Sequence, residues 1–125
     1  MYIRKACIFD LGGTIVDRYS ISPFISLIET FKRHDICIFN DLIFKDMGID
    51  KQDHIRKILS DKYVNRNWFH KYKESPTEKD ILQLHDEFKN IQYEKSCNID
   101  IIPETYKLIN YLKHNNIKTG CTTGF

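Results

Sequence analysis

The stretch FDLGGTIVD, residues 9–17, places a carboxylate and two glycines directly after an apolar run. The run ACIF before Asp10 is continuously apolar, as in a parallel strand that is covered on both faces, and predicts a strand over residues 3–9. Gly12 and Gly13 then break the pattern. A carboxylate at a strand end can attack phosphorus or hold a magnesium ion. The alternative is a loop aspartate that caps one of the two glycines.

A second polar cluster follows the last apolar run of the sequence. The segment IKTGCTTG, residues 117–124, predicts a strand that leads into a turn at Thr122, Thr123 and Gly124. If the two strands are parallel, their carboxyl ends share one edge of the sheet, where hydroxyls and amides can bind phosphoryl oxygens. The alternative for both threonines is an ordinary role as β-branched strand residues.

Helical periodicity dominates the sequence between these strands. Apolar residues recur every three or four positions and predict helices over residues 23–34, 40–45 and about 65–73. Another predicted helix carries the apolar residues Ile55, Ile58 and Leu59. A long helix follows a cap at Thr77, and its apolar stripe is Ile81, Leu84, Phe88 and Ile91. The last predicted helix begins at Pro103, with Tyr106, Ile109 and Leu112 facing inward. The order predicts an α/β fold whose two strands are made parallel by a crossover.

Composition excludes several classes of protein. The chain has 125 residues, of which 42% are hydrophobic and 29% charged, as in one modest soluble domain. A net charge of +2 does not favour a nucleic-acid partner, and no apolar run approaches the roughly 20 residues that span a bilayer. Four cysteines without a C-x-x-C spacing fit a reducing cytoplasm.

The segment of residues 51–73 is locally basic and contains four aromatic residues. Basic and aromatic residues interleaved in this way occur on nucleic-acid-binding surfaces. A helical segment that packs its aromatic rings and solvates its charges explains the same pattern, and we favour that interpretation.

FDLGGTIVD resembles the first motif of the haloacid dehalogenase superfamily. In that family the leading aspartate, here Asp10, is the nucleophile that forms an aspartyl-phosphate. Most of its phosphatases carry a second aspartate two residues later as general acid and base, where this sequence has Gly12. The resemblance therefore points away from a plain phosphomonoesterase.

Three further segments narrow the resemblance. MGIDKQDHIRKIL at residues 47–59, PTEKDILQLHDEF and IKTGCTTGF are similar to the phosphonoacetaldehyde hydrolase (phosphonatase) branch, in which the residue two after the nucleophile is small. The resemblance implies a partial Rossmann-like core with two parallel strands, formed by residues 1–18 and 99–125, and an inserted helical cap formed by residues 19–98.

The chemistry that the resemblance implies is cleavage of a carbon–phosphorus bond. Lys51 would form an imine with the aldehyde of phosphonoacetaldehyde, and Asp10 would attack phosphorus. A protonated imine accepts the electron pair of the broken bond, as a bare aldehyde cannot. An acid at position 12 is then dispensable, because no alkoxide leaving group needs a proton. The alternative for Lys51 is a solvated helix lysine.

Two more residues of the cap segment are implicated by the resemblance. His54 lies three residues after Lys51, on the same helical face, and would relay protons to the lysine or the imine. Met47 matches a residue near the imine. The alternative for His54 is a partly buried structural histidine.

The resemblance also implies a magnesium ion and a phosphate site. Mg²⁺ would be held by the Asp10 carboxylate and the backbone carbonyl of Gly12, whereas Thr123 and Gly124 would bind phosphate oxygens.

The resemblance covers about the first half of the family's length, without its third and fourth motifs. We therefore expect the 125-residue chain to be truncated and inactive alone. Its expected partners are a small phosphonate or phosphate substrate and either a second copy or a complementing C-terminal half, with neither nucleic acid nor membrane. The alternatives are a non-catalytic remnant or binding protein and another haloacid dehalogenase-type phosphatase.

Overall fold

The computed structural model describes residues 5–123, which form two compact units. One contains residues 5–21 and Asn98–Thr123, and we call it the sheet unit. The other contains Ser22–Cys97, and we call it the helical unit. The chain therefore leaves the sheet unit once and later returns to it.

The sheet unit is organised around two strands. Strand β1 covers Ala6–Asp10 and strand β2 covers Lys118–Thr122. They pair in parallel, with Asp10 opposite Thr122. The predicted parallel pairing of an early and a late strand is confirmed, and the two carboxyl ends lie at one edge as that pairing requires.

Helix α6, Glu104–His114, precedes β2 in the sheet unit. Thr105 and Leu112 are buried, and Ile109 is half-buried between them. The prediction that Tyr106 faces inward is wrong, because its side chain is 60% exposed. The buried residues are spaced by three and four, and a residue one position away from that stripe is rotated about 100° towards solvent.

Five helices belong wholly or almost wholly to the helical unit. They are α1 (Ile21–Arg33), α2 (Asn40–Phe44), α3 (Lys51–Ser60), α4 (Lys62–Tyr72) and α5 (Glu78–Ser96). The helices predicted from periodicity are confirmed, with boundaries that differ by a few residues.

Side-chain caps set several of these boundaries. Thr77 and Asp80 form the reciprocal capping box that starts α5, so the predicted cap at Thr77 is confirmed. Helix α4 begins at Lys62, three residues before the predicted Asn65. The reason is Asp61, whose carboxylate accepts hydrogen bonds from two amides of the first turn.

One hydrophobic core fills the helical unit. Its buried members come from α1 to α5 and from the turn after α1. They are Leu27, Phe31, Ile36, Ile38, Ile43, Ile55, Ile58, Leu59, Val64, Trp68, Ile81, Leu84 and Phe88. Leu112, by contrast, is the one buried hydrophobic residue among the described residues of the sheet unit.

The aromatic residues within 51–73 do not share one environment. Trp68 is 3% exposed, whereas Tyr63, Phe69 and Tyr72 are 45%, 51% and 36% exposed. The prediction that this segment packs its aromatic rings holds for Trp68, which is buried. It holds in part for Tyr72 and Tyr63, whose partly exposed rings lie 4.5 Å from Trp68 and 5.0 Å from Phe39 between centroids. Only one stripe of α4 faces the core, and rings outside that stripe remain at the surface.

Several cations of the same segment are paired with carboxylates. Arg56 contacts Asp53 and Glu78, with 2.9 Å from its Nη2 to Glu78 Oε2. Lys71 Nζ lies 2.6 Å from Asp35 Oδ2. These pairs are exposed and add little to stability, but they lower the local positive charge available to a polyanion.

Two expectations from composition concern membranes and thiols. Across residues 5–123, each helix is too short or too polar to cross a bilayer. All four cysteines carry free thiols. The reduced state of the cysteines agrees with the sequence-based expectation, and a cytoplasmic location stays a prediction.

Candidate active site

The sheet unit brings three of the predicted site residues to one edge. Asp10 ends β1, and Thr123 directly follows β2, whose last residue, Thr122, pairs with Asp10. Gly12 lies in the loop after β1. Gly124 was predicted to bind phosphate but lies outside the described residues. The edge therefore carries a carboxylate and two hydroxyls at the carboxyl ends of parallel strands, where ligands bind in such sheets.

Asp10 is exposed to solvent at this edge. Its Oδ1 accepts a hydrogen bond from the amide of Leu11 at 2.8 Å. The predicted alternative, in which Asp10 caps Gly12 or Gly13, is not what its carboxylate does. The exposed position leaves the carboxylate accessible to a substrate, as a nucleophile requires.

The loop after β1 is a tight turn that needs one of its two glycines. Gly13 has φ +78°, and its amide donates to the Val16 carbonyl at 2.7 Å. A Cβ on Gly13 would lie 2.8 Å from Ser20 Oγ, whereas a Cβ on Gly12 would meet that atom at 4.0 Å, an ordinary contact. The turn explains glycine at position 13. It does not explain glycine at position 12, where a Cβ would fit.

The predicted magnesium ligands at this edge are both oxygen donors. The Asp10 carboxylate and the Gly12 carbonyl suit a hard cation, which commonly takes one or two carboxylates and completes its shell with water and substrate phosphate. Within residues 5–123, no three His, Cys, Asp or Glu side chains come together as a metal cluster. The two donors fit Mg²⁺ as part of a coordination shell.

The helical unit carries the other predicted site residues near the start of α3. The Asp50 carboxylate caps this helix by accepting hydrogen bonds from the amides of Gln52 and Asp53 at 2.9 and 3.2 Å. Lys51 is the first helical residue and His54 lies in the first turn. The sequence signal for this cap is Asp50 followed three residues later by Asp53, and this signal was missed in the sequence analysis.

Lys51 is a buried lysine. It is 4% exposed, and its Nζ donates to the Ile49 carbonyl at 3.1 Å. Burial lowers the pKa of the amine below its ordinary value, and the nearby charge of Asp50 opposes that shift only in part. The alternative of a solvated helix lysine is therefore wrong. A buried amine loses its proton more easily, which makes it a better nucleophile at neutral pH.

His54 is fully buried on the same helix. Burial lowers the pKa of its imidazole, and the charge of Lys51 lowers it further. Backbone groups of Leu42 and Ile43 oppose this shift. Even so, neither ring nitrogen has a partner of good hydrogen-bond geometry among the described residues. A buried imidazole whose nitrogens have only poorly aligned backbone partners gains little from hydrogen bonding as a purely structural residue.

Met47 and Asp46 precede α3. Met47 is half-buried and packs against the core of the helical unit, and Gly48 then turns the chain with φ +98°. The Asp46 carboxylate, 19% exposed, pairs with Lys57 at 2.5 Å and raises the pKa of His54 by its charge. Asp46 was missed by sequence reasoning, because no motif marks a carboxylate that acts through its neighbours.

Comparison with known proteins gives similar sequences over nearly the whole chain. A phosphonoacetaldehyde hydrolase of Latilactobacillus sakei is 37% identical over 122 residues, which are 97% of this chain and 46% of that protein. One of Paraburkholderia phytofirmans is 35% identical, again over 97% of this chain and 46% of the relative. The chain thus spans about half the length of these curated relatives. No protein-family model matches it.

Solved structures give the same picture for the fold. A phosphonoacetaldehyde hydrolase-like protein of Oleispira antarctica superposes with a TM-score of 0.89 at 27% identity, covering 100% of this chain and 48% of that one. A β-phosphoglucomutase of Clostridium difficile gives a TM-score of 0.71 at 25% identity, covering 95% and 51%. The chain has a partial α/β fold of the haloacid dehalogenase type and matches the N-terminal part of phosphonoacetaldehyde hydrolases, so the predicted fold class is confirmed.

Proposed function

We propose that this chain carries the nucleophile and the amine of a phosphonatase, an enzyme that cleaves the carbon–phosphorus bond of phosphonoacetaldehyde to acetaldehyde and phosphate. The observation that supports this best is the burial of Lys51 at the start of α3. A phosphate-ester hydrolase has no use for a desolvated amine, whereas imine formation requires a neutral one. The names of the relatives support the same substrate.

The amine acts first in the proposed reaction. Neutral Lys51 adds to the aldehyde carbon and loses water to give an imine, which becomes positively charged on protonation. That cation accepts the electron pair of the carbon–phosphorus bond and becomes an enamine. The lowered pKa of Lys51 raises the fraction of amine that can begin this sequence at neutral pH.

His54 is proposed to move protons in this sequence. The lowered pKa of its imidazole keeps it neutral near pH 7, so that it can accept a proton from the lysine ammonium or from the addition intermediate. Its ring nitrogens, which have no partner of good geometry among residues 5–123, are available for that exchange. Return of the proton to the enamine carbon regenerates the imine, and water then hydrolyses it to acetaldehyde and the lysine amine.

Asp10 is proposed to attack phosphorus. Its exposed carboxylate forms an aspartyl-phosphate, which water then hydrolyses. Thr123 and Gly124 are proposed to bind the phosphoryl oxygens. Asp10 and the Gly12 carbonyl would hold Mg²⁺, which supplies positive charge that offsets the charge of the phosphoryl group. An acid at position 12 is unnecessary, because the imine accepts the electrons of the leaving carbon.

The proposal is tested by trapping the imine. The purified chain is incubated with phosphonoacetaldehyde and sodium borohydride, and the reduced adduct is mapped by peptide mass spectrometry. We expect one adduct, on Lys51, in the wild type and none in Lys51→Arg. Trapping needs only the amine, so this outcome does not depend on turnover.

The matched control is Lys57→Arg on the same helix. Lys57 is 55% exposed and its Nζ is held in an ion pair with Asp46, so it should not form the adduct. We expect unchanged trapping in this variant. An adduct on any other lysine, or equal adduct yield in Lys51→Arg, would contradict the proposed role of Lys51.

The two partner predictions need separate measurements. A second copy of the chain would be detected by the mass in light scattering, and a complementing chain by restored release of phosphate when it is added.

A further inference from the structure

A second set of hydrogen-bonded reactive groups lies in the helical unit, outside the residues proposed for carbon–phosphorus cleavage. His34 follows α1, Tyr72 ends α4 and Glu87 lies on α5. His34 Nδ1 is 2.6 Å from the Tyr72 hydroxyl, and His34 Nε2 is 2.8 Å from Glu87 Oε2. A phenol, an imidazole and a carboxylate thus form one continuous chain of hydrogen bonds.

The Glu87 carboxylate determines which atoms donate and which accept in this series of hydrogen bonds. Burial raises the pKa of Glu87, but hydrogen bonds from Gln83 and His34 outweigh it and hold the pKa below its ordinary value. A charged carboxylate can only accept, so His34 Nε2 carries the proton and donates it. In the neutral ring, Nδ1 is then the acceptor, and the Tyr72 hydroxyl donates to it.

Packing holds the phenol and the imidazole in place. The Trp68 ring, which is buried, lies 4.5 Å from the Tyr72 ring and 5.9 Å from the His34 ring between centroids. Lys71 Nζ donates to the His34 carbonyl at 2.6 Å and lies 5.7 Å from the Tyr72 ring centroid.

We propose that Tyr72 is a nucleophile for activated acyl esters, with His34 as its general base and Glu87 as a positioning residue. The order of nucleophile, base and orienting carboxylate is the one that activates hydroxyl nucleophiles in other proteins.

The proposed step is an acyl transfer. The Tyr72 oxygen attacks the acyl carbon while its proton passes to His34 Nδ1. The carbon–oxygen bond to the leaving aryl oxide breaks, and His34 returns the proton to that oxide. The products are an acyl ester on Tyr72 and a free phenol, and no further reactant is consumed.

Accessibility alone predicts a different pattern of reaction. Tyr72 is 36% exposed, which is less than five other tyrosines among the described residues. These are Tyr19 at 76%, Tyr63 at 45%, Tyr93 at 75%, Tyr106 at 60% and Tyr111 at 63%. Preferred reaction at Tyr72 therefore requires activation by its neighbours.

The test uses the whole chain and 4-nitrophenyl acetate. We expect about one equivalent of acetyl ester mapped to Tyr72 by peptide mass spectrometry. The mapped ester is the readout because Lys51 and the four free thiols also release 4-nitrophenolate from this reagent. Hydroxylamine should remove the acetyl group from Tyr72, because it cleaves aryl esters and leaves acetylated lysine intact. Acetylation that begins at Tyr93 or Tyr19, or a label on His34 or Lys71 instead, would overturn the proposal.

Variants separate the three roles. Tyr72→Phe keeps the ring and should abolish the ester, whereas the matched control Tyr63→Phe should leave the rate unchanged. His34→Gln should slow labelling of Tyr72 by roughly 10²-fold, the usual contribution of a general base. Trp68 fluorescence checks that each variant is folded.

The positioning role of Glu87 has its own readout. Glu87→Gln removes the charge that stabilises the imidazolium, so the pH profile of labelling should move to lower pH and its plateau should fall. An unchanged profile in Glu87→Gln, or equal labelling of Tyr72 in His34→Gln, would overturn the assignment. Neither outcome depends on the proposed reaction of Lys51.

Discussion

The carboxylate of Asp10 belongs to an exposed residue at a strand end, whereas the amine of Lys51 is buried at the start of a helix. Each environment favours the form that the proposed chemistry uses. A carboxylate attacks when it is charged, and water stabilises that charge. An amine attacks when it is neutral, and burial disfavours its charged form. The contrast shows that one reaction can require opposite solvation from two parts of a chain.

The two units also differ in how they are stabilised. Thirteen buried residues form the core of the helical unit, whereas Leu112 is the one buried hydrophobic residue in the described part of the sheet unit. Every residue of β2 is exposed. Apolar burial is the main source of folding free energy, so we expect the helical unit to be the more stable of the two.

The largest effect that tests this contrast comes from two matched leucines. Leu84→Ala, at a fully buried site of the helical unit, should lower its free energy of unfolding by about 3–4 kcal/mol. Leu112→Ala should cost that unit under about 0.5 kcal/mol, since Leu112 is not a member of its hydrophobic core. Trp68 is the only tryptophan, so its fluorescence in urea reports on the helical unit. Equal shifts of the urea midpoint in Leu84→Ala and Leu112→Ala, measured by Trp68 fluorescence, would contradict the expected difference between the two units.

A second test concerns the loop that presents Asp10. Gly13→Ala forces a residue with a Cβ into φ +78° and against Ser20 Oγ, and should destabilise the loop by about 2 kcal/mol. Gly12→Ala should change stability by less than about 0.5 kcal/mol. Amide hydrogen exchange at Val16 measures the loss of loop stability in both variants. A large effect at Gly12 would show that the fold, and not the chemistry, explains glycine there.

Burial of Lys51 should reduce stability at neutral pH. The pKa of folded Lys51 is lowered, so between that value and the ordinary 10.5 the unfolded chain binds more protons, and wild-type stability rises with pH. Lys51→Met should therefore be more stable by about 1 kcal/mol at pH 7, with a smaller gain at high pH. Urea unfolding measures this. Lys57→Met is the exposed control, and an equal gain there would contradict the cost of burial.

The smallest expected effect concerns His54. Its folded pKa is lowered, so as pH falls through about 6.5 the unfolded chain takes up a proton that the folded chain does not. Stability should fall by under about 1 kcal/mol between pH 7 and 6. His54→Leu should flatten this slope, and His85→Gln should remove a further part, because the pKa of His85 is also lowered by burial. A slope unchanged in both variants would contradict the burial effect.

Local sequence patterns predicted the elements well. The cap at Thr77, the helices and the two parallel strands followed from spacing and turn residues that act within a few positions. The inward orientation of Tyr106 was wrong, because an apolar residue next to the buried stripe of a helix looks the same in sequence as one within it. The exposed ring of Phe69 was missed for that reason too.

The sequence by itself determined where the reactive groups lie along the chain: Asp10 at a strand end, and Lys51 and His54 one helical turn apart. Only the tertiary structure decided the solvation of those groups. Spacing and capping depend on neighbouring residues and can be read in order. Desolvation depends on which distant residues surround a side chain, and no short motif records that. The same reason hid the contacts of His34 with Tyr72 and Glu87, which lie 38 and 53 positions away.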